Sequence, residues 1–396
     1  MAGYFKNIKD AFKIKHYINY IAMGLFLIIT ASMFYTGYLS RSTANLITQI
    51  AYSIILAVSL NLVVGFLGEL SLGHAGFMCV GAYIGCYIAK LLHPVIASPL
   101  AVLIITMLIG GAVAAVFGFI IGLPALRLKG DYLAIVTLAF GEIVRTIFKN
   151  LQTFGGALGL RTVKYGTELF IVALVVVILM LIVIQNLVRS KHGRAITAIR
   201  DNEIAAKAMG INVTFYKLFV FVVSAFFAGV AGVIYGHYAT PVLYSFFSYN
   251  YSIEILVMVV LGGMGSINGS IIAAALITYI NFQLTTKLSG DLAALKFLIY
   301  ALVLITIVIF NNAPALEPVR EKFSLKLLVE KLCEKIKRIF VKTADPDREK
   351  ANIKDDAAEW QRIPTKIDMD AILSMDVAPD KANGSIREKG DKRNGK

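Results

Sequence analysis

Charge is scarce in this chain. Lys, Arg, Asp and Glu together make up only 16% of its 396 residues, against 58% hydrophobic residues and a mean hydropathy of +0.73. Soluble domains carry about 25% charge on about 45–50% apolar residues, so a soluble globular fold is excluded. The three cysteines form no disulfide framework and no metal-ligand spacing. Cys79 and Cys86 fall within one predicted helix and read as small apolar fillers, and Cys333 lies in the tail. A phosphate loop is missing too: the Gly-rich GGMGSINGS at 262–270 has no lysine to reach a phosphate. There is no H-E-x-x-H and no G-x-S-x-G, and Glu69 and His74 make no recognisable nucleophile and base pair. No catalytic or metal-ligating residue is therefore expected, and the chain reads as something other than an enzyme.

What the sequence has instead is long apolar runs. A bilayer takes roughly 17–25 helical residues to cross, and such runs recur near 18–39, 46–64, 97–122, 168–188, 214–236 and 293–310. Shorter or more polar candidates lie near 72–92, 131–148, 252–262 and 270–284. None alternates strictly like a membrane barrel strand, and in lipid the backbone must be satisfied internally. The expectation is an all-α polytopic membrane protein with about ten transmembrane helices, some short or Gly-broken.

Lys6, Lys9, Lys13 and Lys15 precede the first run, which is too long for the apolar core of a secretory signal and reads as a retained span. Basic residues favour the cytoplasmic side. That places segment 1–17, Arg127 with Lys129, the cluster from Arg189 to Lys207 and everything after Arg320 on that side, so both termini are expected there. Loop 149–165, with Lys149, Arg161 and Lys164, falls outside by the same parity. The net charge of +14 sits beside membrane spans, where cytoplasmic retention accounts for it, so nucleic acid is not an expected partner.

Past Pro314 the composition changes. Residues 320–396 hold 19 Lys or Arg against 15 Asp or Glu, a net of +4. Within 314–342, Leu325, Leu328, Leu332, Ile336 and Ile339 recur at steps of three or four among lysines, which predicts a basic amphipathic juxtamembrane helix on the anionic lipid leaflet. Residues 343–396 read as a disordered charged cytoplasmic tail.

The segment 189–213 is the most polar stretch inside the apolar body 18–313. Here Asp201 is expected to cap a two-turn helix and Gly210 to end it in the left-handed conformation. Ile204, Ala205, Ala208 and Met209 fall on one side, a small apolar face suited to a groove on another protein; a plain interfacial loop helix is the other reading. EIAAKAMG, residues 203–210, resembles the coupling-loop signature of bacterial ABC importer permeases, with Ala205, Ala206 and Gly210 in register and Glu203 one residue early.

That early glutamate is similar to the pattern of the branched-chain amino acid permease family, LivM type. The stretches NLVVGFLGELSLGHAGFMCVGAYIGCYIA from Asn61, LPALRLKGDYLAIVTLAFGEIVRTIF from Leu123, FFAGVAGVIYGHY from Phe226 and SIEILVMVVLGGMGSINGS from Ser252 resemble the same family. The resemblance covers about residues 45–313.

It implies an ABC importer permease fold in a bacterial inner membrane. It also implies a heterodimer with a LivH-type permease, two LivG/LivF-type ATPase subunits that use ATP and Mg, and a periplasmic substrate-binding protein. The cargo would be leucine, isoleucine or valine, although relatives of the same architecture carry urea or short amides. This chain would bind no cofactor, and Asp201, Glu203, Ile204, Ala205, Ala206, Met209 and Gly210 would couple it to the ATPase. An ion-coupled secondary transporter, which does not need the loop at 193–217, and a membrane sensor or scaffold, which the long charged tail makes conceivable, are the rival classes.

For the translocation path, residues 252–284 as one helix would span about 50 Å, too long for a single crossing, and Gly262, Gly263, Gly265 and Gly269 offer a break. GELSLGHAG at 68–76, with Ser71, Gly73 and His74, offers a second. Paired breaks can present half-helix N-termini to an anionic substrate group, or can simply be tight turns and close helix contacts. Glu142 and Arg145, three apart, are expected to pair. Glu254 lies just inside a span, and His74 and His237 lie at span ends, suited either to structural pairing or to a zwitterionic substrate.

Overall fold

The computed structural model describes residues 40–126, 128, 130–163, 165–166 and 169–287, with isolated positions at 24, 27, 28, 30, 32–34, 301, 302 and 305. Segment 1–17, the apolar runs 18–39 and 293–310, the segment 314–342 and the tail 343–396 lie wholly or largely outside them. In chain order the helices are α1 (Arg41–Asn61, continued by a π-helical turn at Leu62–Leu67), α2 (His74–Leu92), α3 (Pro99–Ala125), α4 (Asp131–Asn150), α5 (Leu169–Arg189), α6 (Lys191–Asp201), α7 (Glu203–Ala208), α8 (Val213–Tyr238), α9 (Tyr249–Gly262) and α10 (Ile267–Lys287). The one extended pairing among the described residues is an isolated antiparallel bridge, Leu160 to Val242. Six helices, α1, α2, α3, α5, α8 and α10, are long and apolar enough to cross a membrane. α9 is apolar but only 14 residues long, and α4 carries Asp131, Glu142, Arg145 and Lys149.

Helix placement follows from which surfaces are apolar. α1 is buried on nearly all sides from Thr48 onward and forms the centre. α3 and α5 are apolar all round yet leave Leu100, Ile104, Leu108, Phe119, Ile120 and Leu179 exposed, as suits a surface in contact with lipid rather than water. Because lipid is as apolar as leucine, helices in a bilayer associate through close packing. The crossings of α2, α3 and α8 show it: a Cβ on Gly81 would collide with the Gly229 backbone, and one on Gly232 with the Met78 carbonyl.

The helix ends sort into two ends of the bundle. One end gathers the π-helical turn, Leu126, α6, α7 and the α9–α10 turn; Gly122 packs on Leu218 and Phe221 there, and Gly65 on Gly265. The opposite end gathers Arg41, Pro99, Tyr165 and Tyr238, with the Tyr165 hydroxyl donating to the Pro99 carbonyl.

Between α1 and α2 the chain turns back into the bundle. Gly68 ends the π-helical turn at φ 81°, residues 68–73 run without helix, and α2 begins at His74, whose Nε2 lies 2.8 Å from the hydroxyl of Ser59, more than two turns above Leu67. α2 therefore starts at depth, as the polar stretch 68–76 suggests. Residues 252–284 differ from the expectation of one Gly-broken rod. They form an antiparallel hairpin, α9 and α10, turning at Gly263–Ser266, where Gly263 and Gly265 have φ of 88° and 82°. Gly262 lies against Gly269 so closely that any side chain would clash, which lets the two helices run back to back. The break at Gly262–Gly269 is thus a turn at one end of the bundle.

Candidate functional site

The coupling segment is built from three side-chain caps. Ser190 starts α6 by accepting the amides of His192 and Gly193 at 3.1 and 3.3 Å. Asn202, extended at φ −158°, breaks the chain between α6 and α7, and its Oδ1 accepts the amides of Ile204 and Ala205, both at 3.0 Å. Asn212 then starts α8 by accepting the amide of Phe215 at 3.1 Å. The cap is therefore Asn202 and not Asp201. Asp201 closes α6 and pairs with the Arg200 guanidinium at 3.1 Å. Either residue type caps a helix well; the position of the chain break decides between them. The exit is as expected, with Gly210 at φ 83°, the Ile211 amide reaching the Ala206 carbonyl and the Gly210 amide the Lys207 carbonyl.

The six-residue α7 turns two faces to different surroundings. Ile204 and Met209 are 80% and 82% exposed, with Ala205 and Ala208 also exposed between them, whereas Ala206 is only 4% exposed. Ala206 is thus part of the chain's own packing and does not lie on the outward face.

Ionic contacts fasten this segment to the bundle. Lys217, the fifth residue of α8, donates to Glu69 at 2.5 Å and to Glu203 at 3.2 Å, its side chain only 5% exposed. One ammonium thereby joins α7, the foot of α8 and the non-helical segment leading to α2. Arg200 adds a second tie: its guanidinium donates to the Gly65 carbonyl at 2.9 Å, and its aliphatic stem lies over Gly68. Asn61 links the two glycine turns by accepting the Gly265 amide at 2.9 Å and donating to the Ser266 carbonyl and the Ser270 hydroxyl. These roles of Lys217, Arg200 and Asn61 escaped the sequence reading. A lysine five residues into an apolar helix, with two glutamates nearby in the family-like stretches, was the available signal.

The candidate path residues do not converge on one site. Ser71 and Gly73 lie in the segment leading to α2, with Ser71 buried and Gly73 against the backbone of Thr137. The start of α2 is not an open anion site, because Ser252 accepts the Ala75 amide at 3.1 Å and Thr137 the Leu72 amide at 3.0 Å. Glu142 and Arg145 do pair, at 2.6 Å, and Glu142 also accepts the Tyr249 amide at 2.9 Å, so it caps α9 from a neighbouring helix. His74 has Ser59 as partner, and His237 Nδ1 lies 3.0 Å from the Val163 carbonyl. Gly262, Gly263 and Gly265 belong to the end turn and not to a site at depth.

Glu254 stands apart from these. It accepts from Asn281 at 3.1 Å and lines a cavity of about 420 Å³ walled by residues of α1, α8, α9 and α10. Gln49, which donates to the Tyr238 hydroxyl at 2.5 Å, Tyr52 and Thr278 line it too. The sequence reading passed over all of them. Gln49 and Asn281, amides inside apolar runs, were the signal.

A family model described as the permease component of branched-chain amino acid transport systems matches residues 42–308. The high-affinity branched-chain amino acid transport system permease protein LivM of Salmonella typhimurium is 37% identical over 294 residues, 64% of this chain and 66% of that one. The probable LivM of Methanocaldococcus jannaschii is 27% identical over 263 residues, 57% of this chain and 76% of its own. The ribose import permease protein RbsC of Haemophilus influenzae is 27% identical over 297 residues, 70% of this chain and 88% of its own. The chain thus spans a little under two thirds of the length of the Salmonella relative it matches, and no solved structure matches it. With the family match running through α1 to α10 and over more than half of the chain, this multi-pass membrane protein belongs to the family of permease components of branched-chain amino acid transport systems.

Proposed function

We propose that the chain is one permease subunit of an ATP-driven ABC importer for leucine, isoleucine and valine in a bacterial inner membrane. It pairs with a LivH-type permease, takes cargo from a periplasmic binding protein and is driven by two LivG/LivF-type ATPase subunits that use ATP and Mg. The end of the bundle carrying α6 and α7 faces the cytoplasm, as do both termini.

The observation that carries this reading is the outward face of α7. Ile204 and Met209 stand almost fully exposed on a helix otherwise tied down by Lys217, Arg200 and Ala206. Two large apolar side chains held rigidly outside the bundle suit a groove on a partner. The ties suit a joint that passes both push and pull, through Glu203 and Lys217 to Glu69 and so to the start of α2. Asp201 contributes by holding Arg200, and Gly210 by setting the exit into α8.

The test is leucine uptake by vesicles holding this chain with its permease, ATPase and binding-protein partners. Uptake is expected to require ATP and all partners, and the verified-pure chain alone is expected to hydrolyse no ATP. Uptake driven by an ion gradient without the ATPases would overturn the reading in favour of a secondary transporter.

A further inference from the structure

We propose that the cavity between the end of α5 and the start of α10 is a binding site for a phosphate group with a hydroxyl beside it, as in the headgroup of phosphatidylglycerol or in free dihydrogen phosphate. That a lipid occupant would come from the cytoplasmic leaflet rests on the orientation proposed above; the site itself does not.

An unmatched amide marks the place. Gln185, one turn before the end of α5, is 2% exposed, and neither its Nε2 nor its Oε1 has a hydrogen-bond partner among the described residues. A buried amide left unpaired costs stability, and such groups are uncommon and call for an explanation. The Gln185 side chain lines a cavity of about 340 Å³ together with Arg189, Gly265, Ser266 and Ile267. That size lies within the usual range of about 300–1,000 Å³ for small-molecule sites.

The surroundings select an anion. The cavity adjoins the N-terminus of α10, a helix of 21 residues with no acidic side chain in its first turn, and the positive end of a helix favours negative charge. Ile267, the first residue of α10, has an N–H with no acceptor among the described residues. The Ser266 hydroxyl accepts the Gly269 amide at 3.2 Å and keeps its own proton to give. Arg189, in the last turn of α5, adds a guanidinium whose five N–H donors let it serve a ligand beside other acceptors. No Asp or Glu is among the described residues lining the cavity.

Neither an amino acid nor a bare carboxylate suits this arrangement. An amino acid would bring its ammonium to the positive end of a helix and a guanidinium, so the cavity is not a cargo site. A bare carboxylate offers acceptors only and would leave Oε1 of Gln185 without a donor. A phosphate supplies several acceptor oxygens for the amide, hydroxyl and guanidinium donors, in the strong charge-assisted class of hydrogen bond, and a hydroxyl beside it donates to Oε1. Basic pockets between membrane helices on the cytoplasmic side are where acidic lipid headgroups bind. A ligand here joins α5, just ahead of α6, to the α9–α10 turn, next to the tie of Arg200 to Gly65, and so stiffens the base that carries α7.

The experiment follows thermal unfolding of the purified, lipid-stripped full chain in detergent with three probes: dihexanoylphosphatidylglycerol, dihexanoylphosphatidylcholine and sodium phosphate. Phosphatidylglycerol is expected to raise the melting temperature saturably and phosphatidylcholine to leave it unchanged. Sodium phosphate acting at the same concentrations as the lipid would assign the site to free phosphate, and a much weaker response would assign it to the headgroup; both outcomes support the phosphate site. Gln185→Leu removes both unmatched atoms, so it is expected to fold at least as stably as the parent chain and to weaken the phosphatidylglycerol response at least tenfold. Ser266→Ala is expected to weaken it severalfold and carries the test should Gln185→Leu lower the melting temperature. Equal responses to the two lipids, or an unchanged phosphatidylglycerol response in a folded Gln185→Leu or Ser266→Ala chain, would overturn the site. Because these probes need neither partners nor transport, an importer assembly that takes up no leucine while the chain still responds to phosphatidylglycerol would remove the importer reading and leave the site standing.

Discussion

The two ends of the bundle handle the same difficulty, an ionisable group inside an apolar protein, in opposite ways. At the α7 end Lys217 is enclosed by two carboxylates and turned into a structural knot among three segments. At the other end Glu254 accepts from Asn281 and lines a cavity together with Tyr52, Tyr235 and Tyr238. Buried charges with their partners in place hold a geometry, whereas cavities lined by polar and aromatic side chains are where small molecules bind. The contrast separates the part of the molecule suited to transmitting movement from the part suited to receiving cargo, and neither part lies where the glycines alone pointed.

The sharpest way to break the comparison is to untie the knot. Lys217→Met leaves Glu69 and Glu203 near each other with no cation between them, and removing one partner of a buried ion pair typically costs about 3–5 kcal/mol. A lower melting temperature of the purified chain and loss of uptake are expected. Adding Glu69→Gln to Lys217→Met is expected to restore part of the stability, because the two changes touch one network and are not additive. Full stability in Lys217→Met would mean that the triad fastens nothing.

A smaller expected effect separates the two faces of α7. Ala206→Glu forces a charge into the chain's own packing and is expected to lower stability by a few kcal/mol. Ile204→Glu alters only an exposed position, where changes usually stay within about 0.5 kcal/mol. It is expected to leave the melting temperature unchanged while reducing the yield of ATPase subunits recovered with the chain. Equal melting temperatures for both variants would remove the distinction between the faces.

Much of this architecture was legible in the sequence, because apolar length and glycine exits are local properties. The six membrane-length helices α1, α2, α3, α5, α8 and α10, the left-handed exit at Gly210 and the Glu142 and Arg145 pair all follow from neighbours within a few residues. What was not legible depends on contacts across the chain. Asp201 and Asn202 are both good caps, and only the packing of α6 and α7 decides where the helix breaks. Glycines at 262–265 announce a backbone event without its depth; the contact of Gly65 with Gly265 places it at the end of the bundle. The partners of Lys217 lie 148 and 14 residues away, and that of Glu254 lies 27 away, so no local pattern joins them. Ala206 was counted among the coupling residues through the family resemblance, and its burial depends on the packing of α7 on the bundle.

The claim that α7 is the joint to the ATPase is tested most directly by site-specific cross-linking in the assembled importer, with Cys333 replaced by serine. Cys79 and Cys86 are buried and stay in place. Ile204→Cys and Met209→Cys are each expected to give an adduct with an ATPase subunit when a short thiol-to-lysine cross-linker is added, and Ala206→Cys is expected to give none. An importer that takes up leucine normally yet yields no ATPase adduct from either exposed position, or yields one from position 206 alone, would contradict the account.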